Sequence, residues 1–331
     1  MACADLLACP ECAEHLTPSD RSLRCPRGHT FDIAKQGYVS LLTGASTKMT
    51  GDTPAMLEAR VVFQSAGHFT PIAEALARAV AEALTRAATE APTRAAAAVP
   101  VLPAPAKHAN GITHPGSTAA AASSARLSAT LLSHPVPTPT PTGPAMLEIG
   151  AGTGYYTAAV LDAVPNARGI ALDVSKPAAK RSARAHPRAG AVLADAWRGL
   201  PVRDGVLSAV LSVFAPRNAD EVARVLAADG RFLVVTPTAR HLAELIRPLG
   251  MVSVDAAKAD RLAETLGEHF TLADRTEVEY PMSLTHTDIA NVAAMGPSAH
   301  HAAEQRTALI AALPNPLTVT ASVTLSTYRR T

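Results

Sequence analysis

The chain has 331 residues, 48% of them hydrophobic, and its 30 Lys+Arg against 28 Asp+Glu give a formal net charge of +2. That length accommodates two domains, and the near balance of charge gives no global signature of a nucleic-acid binder, although a local basic face can hide in it. No run approaches the roughly 18 to 20 consecutive apolar residues a membrane span requires. The opening Met1–Asp5 carries neither a basic nor an apolar signal region, so a cytoplasmic protein without membrane attachment is expected.

All four cysteines lie within the first 25 residues. A disulfide framework is not expected in a cytosolic chain, so the clustering points to metal. Cys9, Cys12, Cys25 and His29 follow the pattern C-x2-C-x12-C-x3-H, which supplies three thiolates and one imidazole for a closed tetrahedral zinc site. Four protein ligands leave no open position, so the zinc is read as structural, supplying folding free energy that so short a segment lacks. Cys3 and His15 fall outside the spacing and are read as bystanders. Residues 1–45 form this zinc-binding module, and the alternation from Phe31 to Leu42 predicts a strand or extended arm leaving it. In 46–90, the spacing predicts a helix over Ala55–Gln64, a break at Gly67-His68-Phe69, and a second helix opened by Pro71 with Ile72, Leu76, Val80 and Leu84 on one face. This pair is read as a connector packing on the catalytic sheet. Residues 91–144 are rich in Ala, Pro, Thr and Ser. They are read as a flexible insertion, with a short helix near 119–132 and an extended Thr-Pro stretch.

From Met146 the texture changes. A short apolar run carrying Glu148 breaks into Gly150, Gly152 and Gly154 and resumes as a helix. A strand that ends in a glycine turn before a helix places bare backbone beside a nucleotide. A dinucleotide fingerprint needs its last glycine one position later, where this chain has Tyr155. With the acid inside the strand end, the stretch looks like the first motif of class I S-adenosylmethionine (SAM) methyltransferases. In that class the acid or its neighbour faces the cationic methionine end. Asp173 closes a second strand where nucleotide-binding sheets hold ribose hydroxyls. Asp195 and Ala196 end a third and are candidates for the adenine amino group and ring. The helix from Lys176 to His186 is read as a solvated basic face. Further strands are expected at Val206–Phe214, Gly230–Pro237, Phe270–Tyr280 and Leu317–Tyr328, with a helix over Arg240–Leu249. The alternation predicts an open, mostly parallel sheet with a reversed edge across 145–331. His68, His286, His300 and His301 are read as surface or helix-cap residues.

Together these pieces resemble the RlmA (RrmA) family of 23S rRNA guanine-N1 methyltransferases, in its branch conferring resistance to macrolides such as tylosin and mycinamicin. The resemblance is carried by the paired cysteines with Cys25-x3-His29, Phe31-Asp-Ile-Ala-Lys-Gln-Gly-Tyr-Val-Ser-Leu-Leu, Gly51-Asp with Met56-Leu-Glu-Ala-Arg60, and Gly154-Tyr-Tyr-Thr. Leu172-Asp-Val-Ser-Lys176, Ser212-Val-Phe-Ala-Pro216, Arg224-Val-Leu and His241-Leu-Ala-Glu-Leu also match. The chain departs from the family in its long insertion and in Ala151, where Cys is frequent. The resemblance implies an α/β fold: a Rossmann-like class I SAM-dependent methyltransferase with a seven-stranded, mostly parallel sheet and a small N-terminal zinc ribbon. It further implies SAM and zinc as cofactors, a homodimer embracing hairpin 35 of 23S rRNA, and Phe214, Pro216 and Arg217 at the substrate site. Guanine N1 lies on the Watson–Crick edge, so the base must be unpaired or flipped, and its N1 proton needs an acceptor that the sequence does not name. Two other readings stay open: a small-molecule SAM methyltransferase, or a non-catalytic zinc-containing RNA-binding protein.

Overall fold

The computed structural model describes residues 1–44, 49, 51–97, 143–253, 265–296 and 303–331, with side chains described outside 87–97 and 303–305. The expected helix near 119–132, the Thr-Pro stretch, His300 and His301 lie outside the described residues.

The first strands are short: β1 (Thr17–Ser19), β2 (Ser22–Arg24) and β3 (Thr30–Asp32) form an antiparallel three-stranded sheet. The arm beyond them becomes β4 (Tyr38–Ser40). Two helices follow, α1 (Pro54–Ser65) and α2 (Thr70–Ala97). Thr53 caps α1 by accepting the amide N–H of Met56, and Pro54 opens its first turn. α2 runs past Glu90 into the stretch read as flexible, because its alanines are the strongest helix formers.

Residues from 145 onward build seven strands: β5 (Ala145–Ile149), β6 (Arg168–Asp173), β7 (Ala189–Leu193), β8 (Leu207–Val213), β9 (Leu226–Pro237), β10 (Phe270–Leu284) and β11 (Leu317–Arg330). Between them lie α3 (Tyr155–Ala163), α4 (Lys176–Ser182), α5 (Ala219–Val225) and α6 (Ala243–Leu249). The strand order is β10-β11-β9-β8-β5-β6-β7-β4. All neighbours from β9 to β4 run parallel, whereas β11 lies antiparallel to both β9 and β10. The seven expected strands are therefore joined by an eighth, β4, whose Tyr38, Val39 and Ser40 pair with Ala191, Val192 and Leu193 of β7.

Alternating side chains of β5 feed two cores. Ala145, Leu147 and Ile149 face a cluster with Leu7, Leu23, Val39, Val192 and Phe232, whereas Met146 faces one with Phe63, Ile72, Leu76, Leu161 and Leu245. The N-terminal module thus packs on one face of the sheet and α1, α2, α3 and α6 on the other. Leu7 and Val39 are fully buried, each contributing about 1.5–3 kcal/mol. Asp5 pairs with Arg168 at 2.7 Å, and the buried Cys3 thiol donates to the Gly169 carbonyl at 3.1 Å. Cys3 is a packing residue, consistent with its place outside the metal pattern.

Two local expectations are corrected, and one element is added. The helix placed at Arg240 begins at Ala243, because Leu242 adopts a left-handed backbone (φ 56°). The last two strands are longer than their apolar cores suggest, because their ladder pairs Phe270–Leu284 with Leu317–Arg330. The short α5, capped by Asn218, was not anticipated. Of the isolated histidines, His68 lies 3.2 Å from the Asp288 carboxylate and His286 meets the Leu313 carbonyl at 2.9 Å.

Candidate functional site

Two tight turns bring the metal-ligating side chains together. Cys9 accepts at its carbonyl from the amides of Cys12 and Ala13, and the amide of Cys25 donates to the His29 carbonyl at 3.0 Å, with Gly28 at φ 89°. The ligand atoms of Cys9, Cys12, Cys25 and His29 all lie within 4.8 Å of one another. Cys12 Sγ to Cys25 Sγ is 3.7 Å, Cys9 Sγ to His29 Nδ1 is 3.5 Å, and Cys25 Sγ to His29 Nδ1 is 3.3 Å. A tetrahedral zinc with bonds of about 2.3 Å to sulfur and about 2.05 Å to nitrogen has ligand–ligand edges of roughly 3.8 and 3.5 Å. The four residues are arranged to bind a metal, and the donor set is that of structural zinc. A cavity of about 530 Å³ lies between this knuckle and the sheet, with Pro10 and Cys12 on one side and Asp195 and Arg198 on the other.

The glycine turn sits at the C-terminal end of β5. Gly150, Gly152 and Gly154 have φ of 69°, 54° and 77°, a region L side chains rarely adopt. A Cβ on Gly150 would stand 2.7 Å from Ala215, and one on Gly154 would stand 2.6 Å from Ala185. Glu148 is 1% exposed; its Oε2 accepts from the amide of Thr157 at 2.8 Å and from the Thr157 hydroxyl. Burial pushes its carboxyl up to about 8 despite those hydrogen bonds. Asp173, also raised by burial, accepts the amides of Gly152 and Ser175, each at 2.8 Å. The acid read as a ribose ligand is therefore seen to pin the turn, each of its carboxylate oxygens accepting one backbone amide. Tyr155 begins α3 with its hydroxyl 3.5 Å from Thr70, and Asp195 accepts the amide of Trp197 at 3.0 Å, capping the 3-10 turn that starts at Ala196.

The connector does more than pack. From α1, Gln64 accepts the Thr153 hydroxyl at 2.7 Å and Arg60 lies over Gly152. At the ends of the two neighbouring strands β8 and β9, three rings gather. Phe214, 41% exposed and at φ 54°, lies 6.2 Å from Phe69 and 5.7 Å from His241, and Phe69 and His241 are 6.0 Å apart. Burial lowers the His241 imidazole to about 4. Its Nδ1 accepts the Ser322 amide at 3.2 Å, so the neutral ring carries its hydrogen on Nε2. Pro216, two residues after Phe214, is exposed, and the Arg217 guanidinium lies near Tyr328, with Nη1 buried and unpartnered. Arg60, Gln64, Phe69 and His241 were not singled out as site residues from sequence, although Arg60 and His241 sit inside the motifs that carried the resemblance.

Comparison with known proteins adds to this geometry. The N-terminal zinc-ribbon model of RlmA matches residues 7–46, and a methyltransferase-domain model matches residues 146–232. A Micromonospora griseorubida protein, provisionally assigned as a 23S rRNA (guanine-N(1)-)-methyltransferase, is 44% identical over 98% of this chain and 97% of its own. The chain belongs to the RlmA family. A second relative, the 23S rRNA (guanine(748)-N(1))-methyltransferase of Streptomyces fradiae, is 38% identical over 98% of this chain and 96% of its own. The departure noted for the family's usual spacing leaves the matched region nearly full length. Within the RlmA family frame, the chain is a class I SAM-dependent methyltransferase carrying a zinc ribbon, and among the described residues no helix is long and apolar enough to cross a membrane.

Proposed function

We propose that this chain transfers a methyl group from SAM to N1 of the guanine that its Streptomyces fradiae relative's name specifies, position 748, in hairpin 35 of 23S rRNA. It works as a cytoplasmic homodimer, and the modification protects the ribosome from macrolides. The proposed organisation is a zinc module at 1–45, a connector at 46–90, an insertion at 91–144 and the methyltransferase domain at 145–331.

Gly150, Gly152, Gly154, Tyr155 and Asp173 would hold the methionine and ribose parts of the cofactor, with the buried Glu148 bracing the turn through Thr157 and Asp195 and Ala196 at the adenine. When bound, SAM supplies an electrophilic methyl on a sulfonium; the N1–CH3 bond forms as the sulfonium C–S bond breaks. The chain's part is positioning. The flipped base stacks on the open face of Phe214, with Pro216 on the rim. His241 cannot take the N1 proton, because its Nδ1 already receives the Ser322 amide and its Nε2 carries the hydrogen. That N–H is suited to guanine O6, an acceptor that adenine replaces with a donor amine. The N1 proton passes to water at the exposed side of the pocket.

The observation that carries the reading is a shared frame. β4 leaves the metal knuckle and pairs in register with β7, two residues before Asp195, so one sheet holds both the docking module and the cofactor end. Exposed Arg21, Arg24 and Lys35 on the ribbon are available to phosphates. A small substrate would give no reason for such a unit. Primer extension across hairpin 35, on RNA from cells with and without the protein, tests the reading. A stop at guanine 748 only with the protein is expected; an unchanged ladder would turn attention to a small-molecule substrate.

A further inference from the structure

Arg60 projects from α1 across the glycine turn. Its Nη1 approaches Gly152 so closely that a Cβ there would stand 2.7 Å away. The helix that carries it is itself fixed to the turn by the Gln64–Thr153 hydrogen bond of 2.7 Å. Asp52 holds the guanidinium through Nη1 at 2.5 Å, and the Met295 carbonyl accepts from Nη2 at 2.8 Å. A guanidinium has five N–H donors, so these contacts leave part of its fork available.

The buried acids of the turn do not use it directly. The hydrogen bonds of Glu148 go to Thr157, and those of Asp173 to Gly152 and Ser175. Both acids nevertheless feel its positive charge. A planar cation has thus been brought to the bare middle glycine without taking a carboxylate of the turn. That arrangement suits an incoming carboxylate, for which the guanidinium fork is the matching shape.

We propose that Arg60 anchors the α-carboxylate of the cofactor's methionine, with Asp52 positioning the guanidinium and Gly152 leaving room for both. The proposal rests on the cofactor reading above and assigns one end of that ligand. It excludes a role in which Arg60 merely neutralises Glu148 and Asp173.

The test is calorimetric titration of the full-length, zinc-loaded chain with SAM and with decarboxylated SAM, which keeps the adenosine, sulfonium and ammonium but lacks the carboxylate. The wild type is expected to prefer SAM by roughly 10- to 100-fold, the size of one charge-assisted pair. Arg60→Gln should erase that preference while leaving decarboxylated SAM bound as before. Arg60→Lys should keep only part of it, because an ammonium cannot reproduce the fork, and Asp52→Asn should reduce it. If Arg60→Gln fails to fold in a thermal melt, the other two variants carry the same comparison. A wild type that does not distinguish the ligands would overturn the proposal. So would variants that retain the preference, or that weaken both ligands alike. A wild type that binds neither ligand would instead sink the cofactor reading.

Discussion

Replacing Glu148 by Gln should remove a loss of stability that the wild type suffers in alkali. The carboxyl is 1% exposed, and burial moves it from the ordinary 4.5 to about 8. Its folded-state value is therefore above its unfolded one, so the folded chain binds the extra proton between those limits. Stability from this group is highest below the unfolded value and falls as pH rises toward 8. Each pH unit inside the window costs about 1.36 kcal/mol. Across pH 6 to 8 the loss amounts to roughly 2–3 kcal/mol, a large share of a typical folding free energy of about 5–15 kcal/mol. Glu148→Gln keeps the shape and an acceptor for Thr157 but cannot ionise, so it escapes the loss. Urea unfolding of both zinc-loaded proteins at pH 6, 7 and 8 measures the difference, in which titrations common to the two cancel. The advantage of the variant should widen by about 2–3 kcal/mol over that range. A pH-independent difference would refute the premise that burial keeps this acid protonated.

Cys12→Ser should lower zinc content and RNA affinity while SAM binding persists, read by metal analysis, filter binding and calorimetry on the same preparation. Phe214→Ala should lower kcat/KM for the RNA by about 5- to 150-fold, the range of a lost base–aromatic stack, with SAM affinity unchanged. Because burial holds His241 near 4, methylation of guanine should show no acid limb near 6.5 from this ring. His241→Ala should reduce kcat/KM without creating such a limb, and a limb near 6.5 that vanishes in the variant would contradict the burial-lowered titration of this ring.

What could be read from the sequence was local. The metal set is a spacing of four side chains, and the glycine turn is a contiguous strand–turn–helix, so both were visible before any coordinates. The sheet was visible because its central strands are apolar runs, three of which lead into the glycine turn, Asp173 or Asp195. The site residues that escaped are those placed by distant packing. Gln64 meets Thr153 across 89 residues, and His241 meets Ser322 across 81; neither contact has a periodic or spacing signal. The helix start assigned to Arg240 failed for a related reason. The ladder of β11 captures the loop, with the Leu242 amide donating to the Thr320 carbonyl at 2.8 Å, before α6 can begin. Arg217 is implied at the substrate site by the resemblance, as one of the residues following the fourth strand; successive residues after a strand end diverge, and its side chain lies near Tyr328.

The three-residue strand β4 has one more consequence. Parallel sheets tolerate an open border poorly, because a bare row of amides and carbonyls invites pairing with another copy. Here the border at β7 is covered by β4, a segment tethered to the metal knuckle whose own Tyr38 and Val39 are buried. Chelation would thus do more than loosen an RNA-docking unit: it would uncover an adhesive edge, and clumping of the stripped protein would be its first visible symptom.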